Sequence, residues 1–306
     1  MAEPGAASVI RSMHIGITGA TGFVGSAICR AAAEAGHTPV GFSRRADASR
    51  GDAAEMRQLG KAGSLAGLGA IIHLAGEPIF GLWTPSKKRA ILESREQGTR
   101  DLVDQIAALP DSERPKTLVC TSGVGFYGDA GDAALDESAP RGGGFLAMVC
   151  ERWEGEALRA ADIGLRVVRV RLGVVLGKGG GAGAIMRLAF KSGLGGKLGS
   201  GDQWMSWIDL RDAARLFTFC ATDPAIAGAV NGVAPEPIRN RDFTKIAAKV
   251  ARRPAIFAAP SFALKALGGL HEMMLFSQRC TPEAASGAGF EFQHTDLRAV
   301  LEHCWR

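Results

Sequence analysis

The chain has 306 residues, 46% hydrophobic and 22% charged, with 41 glycines in no three-residue period, so general disorder and collagen are excluded. At roughly 100–200 residues per domain, this length suggests two domains, or one large α/β unit with an appendage. The net charge of +5 is uneven, with 19 basic and 20 acidic side chains in 1–170 against 17 and 11 in 171–306, which points to an anionic ligand near the C-terminal half.

Met1–Ser12 lacks a long apolar stretch, so it does not read as a secretory signal; it reads as a loose extension, with Met13 an alternative start. His14–Thr18 is a short apolar run that predicts a strand, followed by a helix over about Phe23–Ala35 stopped by Gly36. Thr38–Phe42 predicts a second strand and Ala70–Ala75 a third, buried on both faces. A polar helix over Ser86–Leu109 ends before Pro110, Thr117–Ser122 predicts a strand, Cys150–Ala161 a helix and Arg166–Val175 a strand. This alternation predicts a doubly wound parallel α/β sheet, with a dinucleotide-binding domain over 13–175. The second half is less regular. Glycine-rich loops at Gly177–Gly183 and Gly193–Gly201 flank a short helix. Helices are expected over Asp209–Thr222 and Asp242–Ala251, with a strand near Ala229–Val233 between them. The smaller substrate domain is therefore expected mainly over 176–306, with a segment near 205–233 returning to the first domain.

No apolar run approaches the ~18 residues of a membrane span. No long basic run or aromatic–basic interleaving points to nucleic acid. Cysteines at 29, 120, 150, 220, 280 and 304 form no CxxC pair, and the six histidines show no HExxH spacing, so no metal is expected. The thiols suit a reduced, cytoplasmic setting.

Gly19-Ala20-Thr21-Gly22-Phe23-Val24-Gly25 fits GxxGxxG between a strand and a helix. The chemistry needs this spacing: Gly19 for the tight turn, Gly22 for close approach of backbone N–H groups to a diphosphate, Gly25 for helix–sheet packing. The helix N-terminus adds unpaired N–H donors and a positive dipole end. An acidic residue closing the second strand would bind the ribose 2′-hydroxyl of NAD; here the strand ends Phe42-Ser43-Arg44-Arg45. Ser43, Arg44 and Arg45 suit a 2′-phosphate through charge-assisted hydrogen bonds, so NADP(H) is expected over NAD(H).

These residues resemble the extended short-chain dehydrogenase/reductase superfamily. His73-Leu74-Ala75-Gly76 resembles its cofactor-side motif, and Thr121-Ser122 with Tyr127-Gly128 resembles its serine strand and YG turn. Arg171-Leu172-Gly173 resembles the strand around the nicotinamide, and Ser206-Trp207-Ile208-Asp209 the entry to a returning helix. Leu74–Ile79, Ser94-Arg95, Trp153-Glu154 and Gly199–Gln203 narrow the match to an atypical subgroup called epimerase-like, and Arg253–Phe292 resembles its C-terminal module of unknown function. The resemblance spans about Met13 to His303. It implies that Thr21, Phe23, Val24, Leu74, Ala75, Gly76, Glu77, Arg95, Thr121, Arg171 and Gly173 contact the cofactor, with Glu77 and Arg95 converging on the cleft.

Ordinary members of the superfamily use a Tyr-x-x-x-Lys pair for proton transfer. The one tyrosine here, Tyr127, has Gly131 four places on; aligning Glu154 puts Leu146 and Cys150 at the Tyr and Lys positions. Ser122 and Tyr127 are then the remaining catalytic candidates. Trp83 or Trp204 is a candidate ligand-facing ring, and Gln203 lies where an anionic substrate would. Two readings follow: an NADP(H)-dependent oxidoreductase or epimerase-like enzyme, monomeric or homodimeric, acting on a carbonyl or hydroxyl substrate with a nucleotide-sugar among the candidates, or a noncatalytic NADP(H)-binding sensor or scaffold.

Overall fold

The computed structural model describes residues 12–43, 51–255, 257–266 and 270–306. In chain order the first half runs β1 (His14–Thr18), α1 (Phe23–Glu34), β2 (Thr38–Ser43), β3 (Glu55–Gln58), β4 (Ala70–His73), α2 (Pro85–Ala107), β5 (Thr117–Gly123), β6 (Ala134–Leu135), α3 (Phe145–Leu158) and β7 (Arg166–Leu172). The second half runs β8 (Val174–Leu176), α4 (Gly181–Lys191), β9 (Gly196–Leu198), β10 (Trp204–Met205), β11 (Trp207–Asp209), α5 (Leu210–Thr222), β12 (Gly228–Gly232), β13 (Ile238–Arg239) and α6 (Asn240–Ala251). It closes with β14 (Phe257–Ala259), α7 (Ser261–Ala266), α8 (Leu270–Leu275), β15 (Arg279–Cys280), α9 (Glu283–Gly287) and α10 (Leu297–Trp305).

Seven strands form the central sheet in the order β12-β7-β5-β4-β1-β2-β3, every pair parallel. The strand order reverses between β1 and β4, which opens a crevice at their carboxyl ends. The inner strands carry the apolar runs that two-sided burial requires, and Ala70–His73 is fully buried. One face carries α1 and α5, where Ile17, Ile28, Phe217 and Val230 pack together. The other carries α2 and α3, where Ile71, Leu102, Leu118 and Trp153 meet. Each such buried side chain contributes about 1.5–3 kcal/mol. A third core, with Phe190, Trp207, Phe243, Leu301 and Trp305, joins the C-terminal helices to the edge of this unit.

Several expected boundaries shift for identifiable reasons. β4 stops at His73 rather than Ala75, because the N–H groups of Leu74 and Ala75 turn to the Thr18 hydroxyl, at 3.1 and 3.2 Å, instead of a neighbouring strand. The run expected over Arg166–Val175 breaks at Gly173, whose N–H donates to Gly232 O at 3.0 Å, and β8 pairs with β11 instead. The helix expected over Cys150–Ala161 begins at Phe145 and ends at Leu158, followed by a 3₁₀ turn closed by Gly164 in the left-handed region. β3 escapes a sequence reading altogether: Glu-Met-Arg-Gln has no apolar run, and it forms only as an edge strand against β2.

Thr18 and His73 join the two strands of the switch point. The Thr18 hydroxyl lies 2.8 Å from His73 Nδ1. Since that oxygen already accepts two backbone N–H bonds, it donates its proton to Nδ1, and the ring proton of the neutral histidine sits on Nε2, which is buried with no partner. Burial pushes the pKa down to about 4 from 6.5. A ring that stays neutral in the fold but protonates in the unfolded chain adds nothing above pH 6.5. It costs stability progressively as pH falls from 6.5 to about 4, roughly 3 kcal/mol in all. His73→Asn keeps an acceptor toward Thr18 and removes the titration. Urea unfolding of the variant should lose stability less steeply over this window than the wild type; parallel slopes would show that His73 does not set the acid limb.

Candidate functional site

The turn after β1 is shaped by contacts that admit no side chain. Gly19 has φ +72°, and its carbonyl accepts from Gly22 N at 2.9 Å. A Cβ on Gly25 would stand 2.1 Å from that same carbonyl, and one on Gly22 would stand 3.1 Å from it. Glycine is therefore required at Gly25 for α1 to approach the strand end. Gly22 caps α1 without a side-chain acceptor, and no acidic residue lies in the first turn. The first-turn N–H groups of Phe23, Val24 and Gly25 thus lack intrahelical acceptors, beside exposed Thr21 and Gly22. This cradle, which any Cβ would fill, fits a diphosphate.

A cavity of about 380 Å³ continues from this turn along the carboxyl ends of the strands. Its lining includes Phe23, Val24 and Leu74, Thr121, Ser122, Cys150 and Trp153, and Gly173, Val175, Glu272 and Gln278. The Thr121 hydroxyl on this wall is buried without a protein partner, a second polar atom suited to a bound group. Gly173 lies so close to the Ser206 carbonyl that a Cβ would stand 2.7 Å from it, which keeps that wall flat.

Arg95 lines the cavity, its guanidinium lying across Gly76, where a Cβ would stand 3.2 Å from Cζ. It donates to the carbonyls of Glu77 and Ile91, at 3.0 and 3.1 Å, and stacks over the Trp153 ring. Desolvation lowers its pKa. Glu77 does not share this position. Its carboxylate pairs with Lys87 Nζ at 2.6 Å and it is absent from the cavity lining, so only Arg95 of the expected pair reaches the cleft. Leu74 lines the cavity, while Ala75 and Gly76 flank it. Ser43 ends β2 and is half-buried; Arg44 and Arg45 lie outside the described residues.

The two catalytic candidates are both engaged elsewhere. Ser122 lines the cavity, but its hydroxyl donates to Glu154 Oε1 at 2.7 Å. Tyr127 is 2% exposed and lies outside the cavity lining. Its hydroxyl proton is shared between Asn231 Oδ1 at 2.7 Å and Asp136 O at 3.1 Å, and its oxygen accepts from Arg171 Nη1 at 3.0 Å. Burial pushes its pKa up to about 12. A phenol so held pins the fold at this point, with its proton and oxygen both engaged. Arg171, expected beside the cofactor, is buried, outside the lining, and spans Glu154 with Nε and Nη2 at 2.9 and 3.0 Å while its face covers the Phe126 ring. Leu146 and Cys150 do line the cavity. The Cys150 thiol donates to Gly123 O, and burial raises its pKa, so it stays protonated.

The aromatic expectations also change. Trp83 donates to Ile79 O at 2.7 Å and packs on Phe145 outside the lining. Trp204 lies between the guanidinium groups of Arg239 and Arg279 and donates to Asp132. Trp153 is the tryptophan in the cavity wall. The Gln203 amide donates to Leu198 O and Met274 O, a clamp between loops. Several basic side chains of the second half are paired, among them Arg211 with Asp209, Arg215 with Asp212 and Arg241 with Asp202; these partners lie in the same half and leave its basic excess in place. Among the described residues, no three His, Cys, Asp or Glu side chains gather as a metal set, and no helix is long and apolar enough to cross a membrane.

Glu154 is the hub that sequence reading passed over, since its partners lie on β5 and β7. It takes Ser122 Oγ, both Arg171 bonds, and Arg169 Nη1 at 3.0 Å. Removing one partner of a buried pair costs about 3–5 kcal/mol, against about 0–1 for an exposed one. Glu154→Gln should therefore lower the unfolding free energy by about 3 kcal/mol or more in urea. Asp104→Asn, which removes the exposed partner of Arg159, should lower it by less than about 1 kcal/mol. Equal losses would refute the hub.

The sequence and the fold agree with known proteins. A family model described as NAD dependent epimerase/dehydratase family matches residues 15–231, and a domain of unknown function, DUF1731, matches residues 259–304. An epimerase family protein of Mycobacterium bovis, Mb2239, is 36% identical over 292 residues, 94% of this chain and 96% of the relative. The chloroplastic SDR39U1 homolog of Arabidopsis thaliana is 41% identical over 238 residues, 76% of this chain and 68% of the relative. A crystal structure of the human epimerase family protein SDR39U1 (isoform 2) with NADPH superposes with a TM-score of 0.86 at 30% identity, covering 96% of this chain and 99% of that one. With a seven-stranded parallel sheet, a glycine cradle at its switch point and a family match across most of its length, this chain belongs to the NAD dependent epimerase/dehydratase family.

Proposed function

We propose that this protein is an NADP(H)-dependent oxidoreductase that acts on a small carbonyl or hydroxyl compound in the cavity beyond the glycine turn. The observation that carries this is the continuity of the cradle with that cavity: Phe23 and Val24 open α1 and also line it. A diphosphate would rest on the free N–H groups of α1, with Gly19, Gly22 and Gly25 keeping the backbone bare. Thr18 and His73 hold the ends of β1 and β4 at the crevice. The nicotinamide, when bound, supplies hydride exchange at the substrate carbon. Thr121 offers a hydroxyl to it or to the substrate, and Gly173 and Val175 exclude water along one wall. Arg95 offers the cavity a cation that suits an anionic or carbonyl group on the substrate.

The human relative's structure with NADPH supports the choice of NADP(H), as does the Ser43-Arg44-Arg45 sequence. A second reading, a noncatalytic NADP(H) sensor, draws on one observation. The positions aligned with the superfamily's Tyr and Lys are Leu146 and Cys150, and neither exchanges protons near neutral pH. Such a sensor would bind NADP⁺ and NADPH with different affinities and move no hydride.

Calorimetric titration with NADP⁺, NADPH, NAD⁺ and NADH tests the cofactor. The Arg44→Ala/Arg45→Ala variant should lose about 100-fold or more in NADPH affinity and change little toward NADH, since each of the two charge-assisted bonds to the 2′-phosphate contributes about 1.5–3 kcal/mol. Absence of binding to any nicotinamide dinucleotide would sink both readings. Absorbance at 340 nm with added carbonyl compounds then separates enzyme from sensor.

A further inference from the structure

We propose that Glu272, carried by the C-terminal module, is the proton-exchanging residue of the cavity. The inference deepens the oxidoreductase reading and rests on it. Glu272 is 8% exposed and, among the described residues lining the cavity, is the only carboxylate. It reaches α3 across 126 residues of sequence: Oε1 accepts from Phe145 N and Oε2 from Leu146 N, each at 3.0 Å. Those bonds fix the carboxylate at the first turn of α3, beside the Leu146 side chain in the same wall. Gly144 is required there, because its φ is +106° and a Cβ would stand 2.9 Å from Oε2.

The other polar groups of the wall are already spent or do not titrate. Ser122 gives its proton to Glu154, Cys150 gives its own to Gly123 O, and the Gln278 amide donates to Gly128 O. Arg95 holds two carbonyls, and the Thr121 hydroxyl has no ionisable partner among the described residues. Each Glu272 oxygen accepts one N–H and keeps a second lone pair for a substrate hydroxyl. When a carbonyl is reduced, the hydride comes from the bound nicotinamide to the carbon, and the proton leaves the Glu272 carboxyl for the oxygen, forming the O–H bond. Oxidation reverses both transfers. The module of unknown function over 259–304 thereby completes a cleft that the first domain alone leaves without an acid.

The test uses the full chain with NADPH and three apolar carbonyl probes, 9,10-phenanthrenequinone, benzaldehyde and hexanal. Arg95 from α2, Cys150 from α3, Lys88 over the Phe145 ring and His271 beside Glu272 are the other titratable groups around it. Wild-type kcat for carbonyl reduction should fall as pH rises, because the donor must carry its proton. Glu272→Gln should lower kcat by about 100-fold or more and abolish that limb, with NADPH affinity changed less than about threefold. His271→Gln should keep the limb. A purely structural cap would instead lower Tm and leave the pH profile in place, which overturns the proposal. If Glu272→Gln does not fold, Glu272→Asp keeps the charge on a shorter arm and should move the inflection; an unmoved inflection also overturns it. A wild type that binds NADPH and reduces none of the probes rejects the proposal and leaves the cofactor reading intact. A wild type that binds no NADPH rejects the oxidoreductase reading itself.

Discussion

Glu154 is a carboxylate only 3% exposed, set between α3 and the sheet, and donors from β5 and β7 converge on it. A buried charge of this kind is tolerated only when it is paired and its lone pairs are filled. Here one carboxylate accepts from Ser122, Arg169 and Arg171, and Arg171 in turn holds the Tyr127 hydroxyl and the Glu137 carbonyl. Tyr127 passes the connection to Asn231 on β12, whose side chain reaches the carbonyls of Leu135 and Thr281. The network thus joins α3, the central strands, the last strand of the sheet and the C-terminal module. It also explains why two groups with catalytic chemistry, Ser122 and Tyr127, are spent on structure.

With those groups committed, the chemistry of the cleft is left to a short set of atoms. The backbone N–H groups of α1 face a turn from which Cβ atoms are excluded. The cavity beyond is mostly apolar, with Arg95 as its cation and Glu272 as its carboxylate among the described lining residues. In such low-dielectric surroundings a single charge acts strongly on a bound group, so few polar atoms suffice to orient it.

The glycine turn was legible because its geometry is local: the seven residues Gly19–Gly25 settle the approach of strand, turn and helix. Gly19 needs a positive φ and Gly25 has no room for a side chain, and both constraints belong to the motif. The parallel sheet was legible for the same reason, through apolar runs separated by amphipathic helices. The charged edge strand β3 was not, because it is defined by its partner β2. The placement of Trp83 and Trp204 was not legible, because a tryptophan's identity says nothing about which wall it joins. Trp204 is taken up by two guanidinium groups from β13 and β15, neighbours that only folding supplies.

The sequence by itself determined the fold class, the position of the diphosphate cradle and the absence of a Tyr-x-x-x-Lys pair, since each depends on residue type and short spacing. Tertiary structure decided which polar groups remain available. Ser122, Tyr127 and Arg171 lie in strands and turns that look functional, yet their hydrogen bonds close on Glu154 and Asn231, 32 and 104 residues from Ser122 and Tyr127 respectively. Glu272 carries no motif, yet it enters the cavity from a helix that packs there only in the completed fold. Burial removes water as a partner, so a polar group's role is set by whatever protein atom folding brings within 3 Å, and that atom is rarely near in sequence.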